Sequence, residues 1–128
     1  MLREIAIVGL GGAVGSIARY LTVTTSAKFL STNYTHFGTL MVNCLGSFLV
    51  TLFMVLYIEK FSFPDDMLRL LVVVGFLGGF TTFSAFSYES VAMLHSGAYK
   101  EAISYILLSV VLSISFAFGG FFTAKALL

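Results

Sequence analysis

Apolar residues run almost unbroken through four stretches of the chain, residues 5–27, 38–58, 67–94 and 102–124, and polar residues collect in three short connectors between them. The hydrocarbon core of a bilayer takes about 20 apolar residues per helix, so each stretch is long enough to cross it once. The second and fourth stretches carry no charge. The first is interrupted by Arg19, and the third has Arg69 near its start and Glu89 near its end. The connectors hold Ser, Thr and Asn (residues 28–37), the only proline, Pro64 (residues 59–66), and Gly97 (residues 95–101). The pattern predicts an all-α membrane protein, residues 1–128 forming a single domain of four transmembrane helices with nothing left over for a soluble domain. Barrel strands would alternate apolar and polar residues over about ten positions, and these runs do not alternate. The stretch after Met1-Leu2-Arg3 is too long and too glycine-rich for a cleaved signal peptide.

Composition sharpens this reading. Of 128 residues, 59% are hydrophobic and 10% charged, against about 25% charged in an average soluble domain. A water-facing surface cannot be covered with so few polar residues, which excludes a soluble enzyme. The net charge of +1 gives no basic footprint for nucleic acid. The single cysteine, Cys44, has no disulfide partner and reads as a small packing residue. His36 and His95 are too far apart in sequence to supply a zinc or iron–sulfur site. Lys and Arg are nearly balanced across the predicted membrane: Arg3, Lys60, Arg69 and Lys125 fall on the side of the termini, Lys28 and Lys100 on the other, joined by Arg19 if it reaches that interface. Orientation follows this bias, and the bias is weak. It permits one chain to insert both ways up, so that two opposite copies pair, and it equally permits one fixed topology.

Polar side chains inside lipid must face protein or water. The second stretch carries Thr39, Asn43, Ser47 and Thr51 at spacings of four, and the fourth carries Tyr105, Ser109 and Ser113; each set forms a stripe along one helix face. Ser and Thr often bond their own i−4 carbonyl, so each taken singly favours that plain reading. Asn43 does not, because one carbonyl cannot satisfy its amide, and it is a candidate functional residue. Gly11-x-x-x-Gly15 in the first stretch is a helix-packing face. Arg19, four residues on, either snorkels to the interface or faces inward as the lone fixed cation of an anion vestibule.

The third stretch reads Gly75-Phe76-Leu77-Gly78-Gly79-Phe80-Thr81-Thr82-Phe83-Ser84-Ala85-Phe86-Ser87. Three glycines and two adjacent β-branched threonines are poor helix material, so a helix broken near its middle is expected. Freed carbonyls at such a break are good ligands for a small cation; a glycine-rich surface for close helix crossing is the plainer alternative. Phe76, Phe80, Phe83 and Phe86 are spaced to make one continuous aromatic face. Such a face usually packs, but Thr82, Ser84 and Ser87 interleave with it. Ring edges carry partial positive charge, and together with hydroxyl and amide donors they suit an anion path. One chain of four helices is too small to seal a pore around several polar stripes, so a homo-oligomer is expected.

Three motifs, Gly11-Gly12-Ala13-Val14-Gly15-Ser16-Ile17-Ala18-Arg19-Tyr20, Gly38-Thr39-Leu40-Met41-Val42-Asn43-Cys44-Leu45-Gly46-Ser47-Phe48, and the third-stretch run extended by Tyr88-Glu89, occur in that order. Together they resemble the Fluc (CrcB) family of small bacterial fluoride channels. The first three stretches resemble the family closely, the fourth mainly in length and in its serine-bearing face. The resemblance implies an antiparallel, dual-topology homodimer with two pores in the bacterial inner membrane, exporting fluoride passively and so limiting its toxicity. It implies that Asn43, Phe80 and Phe83 contact the ion, and that the hydroxyl track maps onto Ser109 and Ser113. Thr39, Thr82 and Ser84 are further pore candidates. It also implies a structural sodium ion at the dimer interface, held by the backbone carbonyls of Gly75 and Gly78, with no organic cofactor. The rivals are a small multidrug or guanidinium-type proton-coupled exporter, which needs a membrane-embedded carboxylate and finds only Glu4 and Glu89, and a non-transporting membrane scaffold. No nucleophile–base pair suggests an enzyme.

Overall fold

The computed structural model describes residues 1–30, 35–60 and 66–128. Residues 31–34 and 61–65 of the two longer connectors, Pro64 among them, lie outside these residues, as does the side chain of Lys60 used in the charge count. The described chain is helical throughout: α1 (Leu2–Phe29), α2 (His36–Lys60), α3 (Met67–Arg69), a π-helical segment (Leu70–Leu77), α4 (Gly78–Phe80), α5 (Phe83–His95) and α6 (Tyr99–Leu127). Four runs, Leu2–Phe29, His36–Glu59, Met67–His95 and Tyr99–Leu127, are long and apolar enough to cross a membrane. They extend past the apolar stretches because helical turns continue through the polar residues at their ends.

The third run is irregular for reasons visible in its neighbours. α1 and the π segment meet backbone to backbone. A Cβ on Gly15 would overlap the carbonyl oxygen of Phe76, one on Gly11 would overlap that of Leu71, and one on Gly75 would lie 2.9 Å from the carbonyl oxygen of Val8. Small residues on both faces let the helix axes approach this closely. After α4 the backbone is extended at Thr81 (φ −82°, ψ 159°) and Thr82 (φ −152°, ψ 116°) before α5 begins. Thr82 caps α5: its Oγ1 accepts the N–H of Ala85 at 3.1 Å, the usual bond from an N-cap hydroxyl.

The two extended residues also change the aromatic stripe. The expected single face of Phe76, Phe80, Phe83 and Phe86 is not formed. It splits into two pairs, Phe76 stacked on Phe80 (centroids 6.0 Å, interplanar angle 6°) and Phe83 tilted against Phe86 (5.3 Å, 57°). An extended residue advances the chain about 3.3 Å against 1.5 Å in a helix, so helical phase does not carry across Thr81 and Thr82.

α2 packs mainly on α6. Close approach is again set by small residues, since Ala102 and Ala124 are fully buried and a Cβ on Gly120 would overlap the carbonyl of Phe48. At one end of this pair Lys125 forms an ion pair with Glu59 and sits over the Phe121 ring. α5 turns into α6 through a tight cap in which Ala98 N–H donates to Met93 O (3.0 Å) and Gly97 N–H to Leu94 O (3.2 Å). The turn puts Gly97 at φ +82°, where only glycine is free of steric cost. Before α3, Arg69 donates to both carboxylate oxygens of Asp66. That bond, more than the charge, holds the Asp66 carboxyl below its ordinary value. The outward faces are apolar, with Leu10, Val14, Ile17 and Leu21 on α1 and Ile103, Leu107, Ile114 and Phe118 on α6 all exposed, as expected of surfaces that meet lipid.

Candidate functional site

A cavity of ≈ 430 Å³ opens between α2, the irregular third run and α6. Its lining includes Asn43, Ser47, Gly78, Thr81, Thr82, Phe83, Phe86, Ser109 and Ser113. Around it one set of hydroxyls bonds locally. Ser47 donates to Asn43 O (2.7 Å), Thr51 to Ser47 O (3.0 Å), Ser87 to Phe83 O (2.9 Å) and Ser90 to Phe86 O (2.8 Å). So does Thr81, which donates to Leu77 O at 2.9 Å. Each returns to its own segment and has its proton committed.

Asn43 is the central crossing. Its Nδ2 donates to Thr82 O at 3.0 Å, and its Oδ1 accepts the N–H of Thr82 at 2.8 Å. The side-chain amide thus replaces the neighbouring strand that an extended residue would otherwise need, satisfying both backbone groups of Thr82 inside the bilayer. An amide nitrogen has two protons, which leaves one beyond the Thr82 bond. Thr82 Oγ1 also lies 3.2 Å from Ser84 Oγ. On α6, Ser113 Oγ is 3.9 Å from Cys44 Sγ, a contact that fits the packing role expected of that buried thiol. Ser109 Oγ is buried with no hydrogen-bond partner among the described residues. A buried polar group in that condition is costly and calls for an explanation.

The structure brings Asn43, Thr82, Phe83, Ser109 and Ser113 to one cavity. Phe80 is elsewhere: it is 5% exposed, stacks on Phe76 and does not line the cavity, where the second ring is Phe86. Sequence spacing identified the four phenylalanines but not which two would turn inward, because that depends on the extended residues between them. Ser84 is not in the lining and touches Thr82 instead. Arg19 is half-buried on α1, one turn beyond the Gly15 contact, and is not in the lining.

Thr39 is not in the lining either. It is 2% exposed and donates to Glu89 Oε1 at 3.0 Å. Thr35 donates to the same oxygen at 2.8 Å, and the Tyr105 hydroxyl donates to Oε2 at 2.8 Å. One carboxylate therefore gathers three hydroxyls from α2 and α6. Sequence reasoning left Glu89 and Tyr105 without a role. The available signal was that both lie on rows already noted, Tyr105 one turn before Ser109 and Glu89 one turn after Phe86.

Among the described residues no group of His, Cys, Asp and Glu could hold a metal, so a cation would need carbonyl oxygens. The amide that would close a helical turn onto Gly78 O belongs to Thr82, and it donates to Asn43 instead. Gly75 O accepts the N–H of Gly78 and faces Gly12 across the α1 contact. The Gly78 carbonyl has no helical partner, and the Gly75 carbonyl, which shares the Gly78 N–H with Val73 O, keeps a second lone pair, so both oxygens fit a cation ligand.

Four membrane-length helices around a small, hydroxyl-lined cavity place the chain in the class of small multi-pass membrane proteins. The family described as CrcB-like protein, Camphor Resistance (CrcB), matches residues 6–121, and the chain belongs to that family. It is 41% identical over 126 residues, 98% of this chain and all of the relative, to a protein of Sulfurihydrogenibium sp. (strain YO3AOP1) named fluoride-specific ion channel FluC. Proteins of the same name from Chelativorans sp. (strain BNC1) and Leptospira interrogans serogroup Icterohaemorrhagiae serovar copenhageni are 43% and 44% identical, over 99% and 96% of this chain and 100% and 95% of the relatives.

Proposed function

We propose that this protein is a fluoride-selective passive channel, not an enzyme, and that the cavity is part of its ion path. Membership of a family whose relatives are named fluoride-specific channels supports the activity. The observation that carries the site is the buried, unpartnered Ser109 hydroxyl, set in one wall with Asn43, Ser113, Phe83 and Phe86. Fluoride is small and tightly hydrated, so a selective path must replace its water with donors. The Ser109 hydroxyl and the second Asn43 N–H supply protons, and the Phe83 and Phe86 ring edges supply weaker positive potential. No Lys or Arg lines the cavity, which keeps binding shallow enough for release. A proton-coupled exporter would need a carboxylate that exchanges protons with its substrate. Glu89 lies outside the lining, with its oxygens taken by three hydroxyls.

Phe83 lines the cavity yet is 78% exposed in the single chain, so one wall is missing. A second copy supplies it in our reading: an antiparallel homodimer with two pores in the bacterial inner membrane, draining fluoride from the cytoplasm, with Arg19 as the vestibule cation. The near-balance of Lys and Arg supports insertion in both orientations. Within that dimer we propose a structural sodium ion on the Gly75 and Gly78 carbonyls of both copies, where it would supply fixed positive charge.

Proteoliposomes loaded with fluoride or chloride test the activity. Fluoride should leave and chloride should stay; equal release of both ions would overturn the selectivity. In the same assay Phe83→Ile should slow fluoride efflux by at least tenfold with the dimer intact on size exclusion, and a wild-type rate would remove Phe83 from the path. Exchanging sodium for N-methylglucamine should shift the detergent-solubilised protein from dimer toward monomer. Unchanged association would remove the sodium.

A further inference from the structure

The polar rows do not stop at the cavity. They converge on Glu89, at the end of the bundle where α2 and α6 begin and α5 finishes, and its carboxylate accepts hydrogen bonds from the hydroxyls of Thr35, Thr39 and Tyr105. In the channel reading this sets a carboxylate outside the cavity lining, at one end of the bundle beside an anion's approach, with three nearby donors already engaged. His36, the first residue of α2, lies beside this cluster. Its ring centroid is 5.4 Å from that of Tyr105, edge to face at 62°, and 4.5 Å from that of Phe37. The imidazole therefore touches the phenol whose hydroxyl is bound to Glu89. Glu89 on α5 and Tyr105 on α6 are the titratable groups of the packed helices that face it. The others at this end are Lys28 in the last turn of α1, His95 in the last turn of α5, and Lys100 and Glu101 in the first turn of α6.

We propose that His36 is a pH-responsive regulator of fluoride flux through this mouth, its imidazolium offsetting the Glu89 carboxylate and raising the flux as pH falls. The inference rests on the channel reading. Imidazole is the side chain whose ordinary titration falls between about pH 5 and 8. Neutral His36 leaves the mouth negative. Protonated His36 cancels that charge at close range, where low-dielectric walls weaken screening, and the local fluoride concentration rises. No bond to Tyr105 or Glu89 has to break.

The test is fluoride efflux from proteoliposomes at equal internal and external pH from 8 to 5, with protein-free liposomes subtracted to remove leakage of undissociated acid. Wild type should speed up about threefold across this range, an order-of-magnitude expectation for one unit charge near a channel mouth. His36→Gln should lose the rise. His36→Lys, a fixed cation, should be fast and flat with pH, and it keeps the question decidable if His36→Gln is poorly folded by size exclusion. A wild-type profile matching His36→Gln, or a steep pH response surviving in His36→Lys, would overturn the regulator and leave the channel reading standing. No fluoride efflux from wild type at any pH would overturn the channel reading, and the regulator with it.

Discussion

Asn43→Ala is expected to abolish fluoride efflux and to cost about 2–6 kcal/mol of stability, because it strips partners from two backbone groups at roughly 1–3 kcal/mol each. The groups are the N–H and C=O of Thr82, both bound to the Asn43 amide. Without the bracket, Thr81 and Thr82 have no reason to stay extended. The chain relaxes toward continuous helix, which would turn Phe83 and Phe86 away from the cavity. Asn43→Asp separates the two roles of the side chain. It keeps an acceptor for the Thr82 N–H but sets an oxygen against Thr82 O and removes the donor offered to an anion, so efflux is lost with part of the stability retained. Fluoride efflux and thermal unfolding in detergent, measured on the same preparations, check both. A wild-type melting temperature for Asn43→Ala would refute the bracket.

The second large effect is expected of Gly15→Ala. The new Cβ would overlap the Phe76 carbonyl oxygen and lie 3.0 Å from the Phe80 N–H nitrogen. Backbone cannot step aside as a side chain can, so α1 and the π segment must separate along their contact. Overpacking of this kind costs about 1–3 kcal/mol or more, and the expected result is loss of the monodisperse protein. Gly9→Ala, one and a half turns away on the same helix, is the control. Nothing lies within 4 Å of its added Cβ, and helix propensity favours Ala by about 1 kcal/mol. If both variants run as wild type on size exclusion and melt together, the backbone contact is not a determinant of the fold.

The four spans were legible because bilayer thickness sets a length that a hydropathy pattern meets or fails, and the third needed no more than its 29 apolar-rich residues from Met67 to His95. Asn43 was legible as an oddity: a large amide in a clean apolar helix must bond to something. What it bonds to was not, since Thr82 is 39 residues away and its backbone groups carry no sequence signature. Which phenylalanines face the cavity of the single chain was not legible for the same reason. Period arguments hold only while the helix is continuous, and two residues of extended backbone move Phe83 and Phe86 onto the cavity while Phe80 stays with Phe76. The Gly75 carbonyl's place against Gly12 depends on the α1 crossing, which spacing alone does not specify. Glu89 lay in plain view, but its meaning required Thr35, Thr39 and Tyr105 to converge from two other helices.

The hydroxyls that return to their own helix also bear on how the chain is made. A segment leaving the translocation machinery for lipid is alone, and any polar group it cannot satisfy by itself opposes partitioning. Ser47, Thr51, Ser87 and Ser90 bond carbonyls one turn back and so bring their partners with them. Asn43 and Thr39 do not; their partners, Thr82 and Glu89, arrive with the third span, and Glu89 in turn finds Thr35 and Thr39 in place and waits for Tyr105. α2 therefore enters the bilayer first with its amide waiting, and the third span, whose extended residues need that amide, can be completed only after α2 is in place. The order of synthesis from amino to carboxyl terminus matches the order in which these bonds become possible. A circular permutant that delivers the third span ahead of α2 would have to hold Thr82 in lipid without a partner.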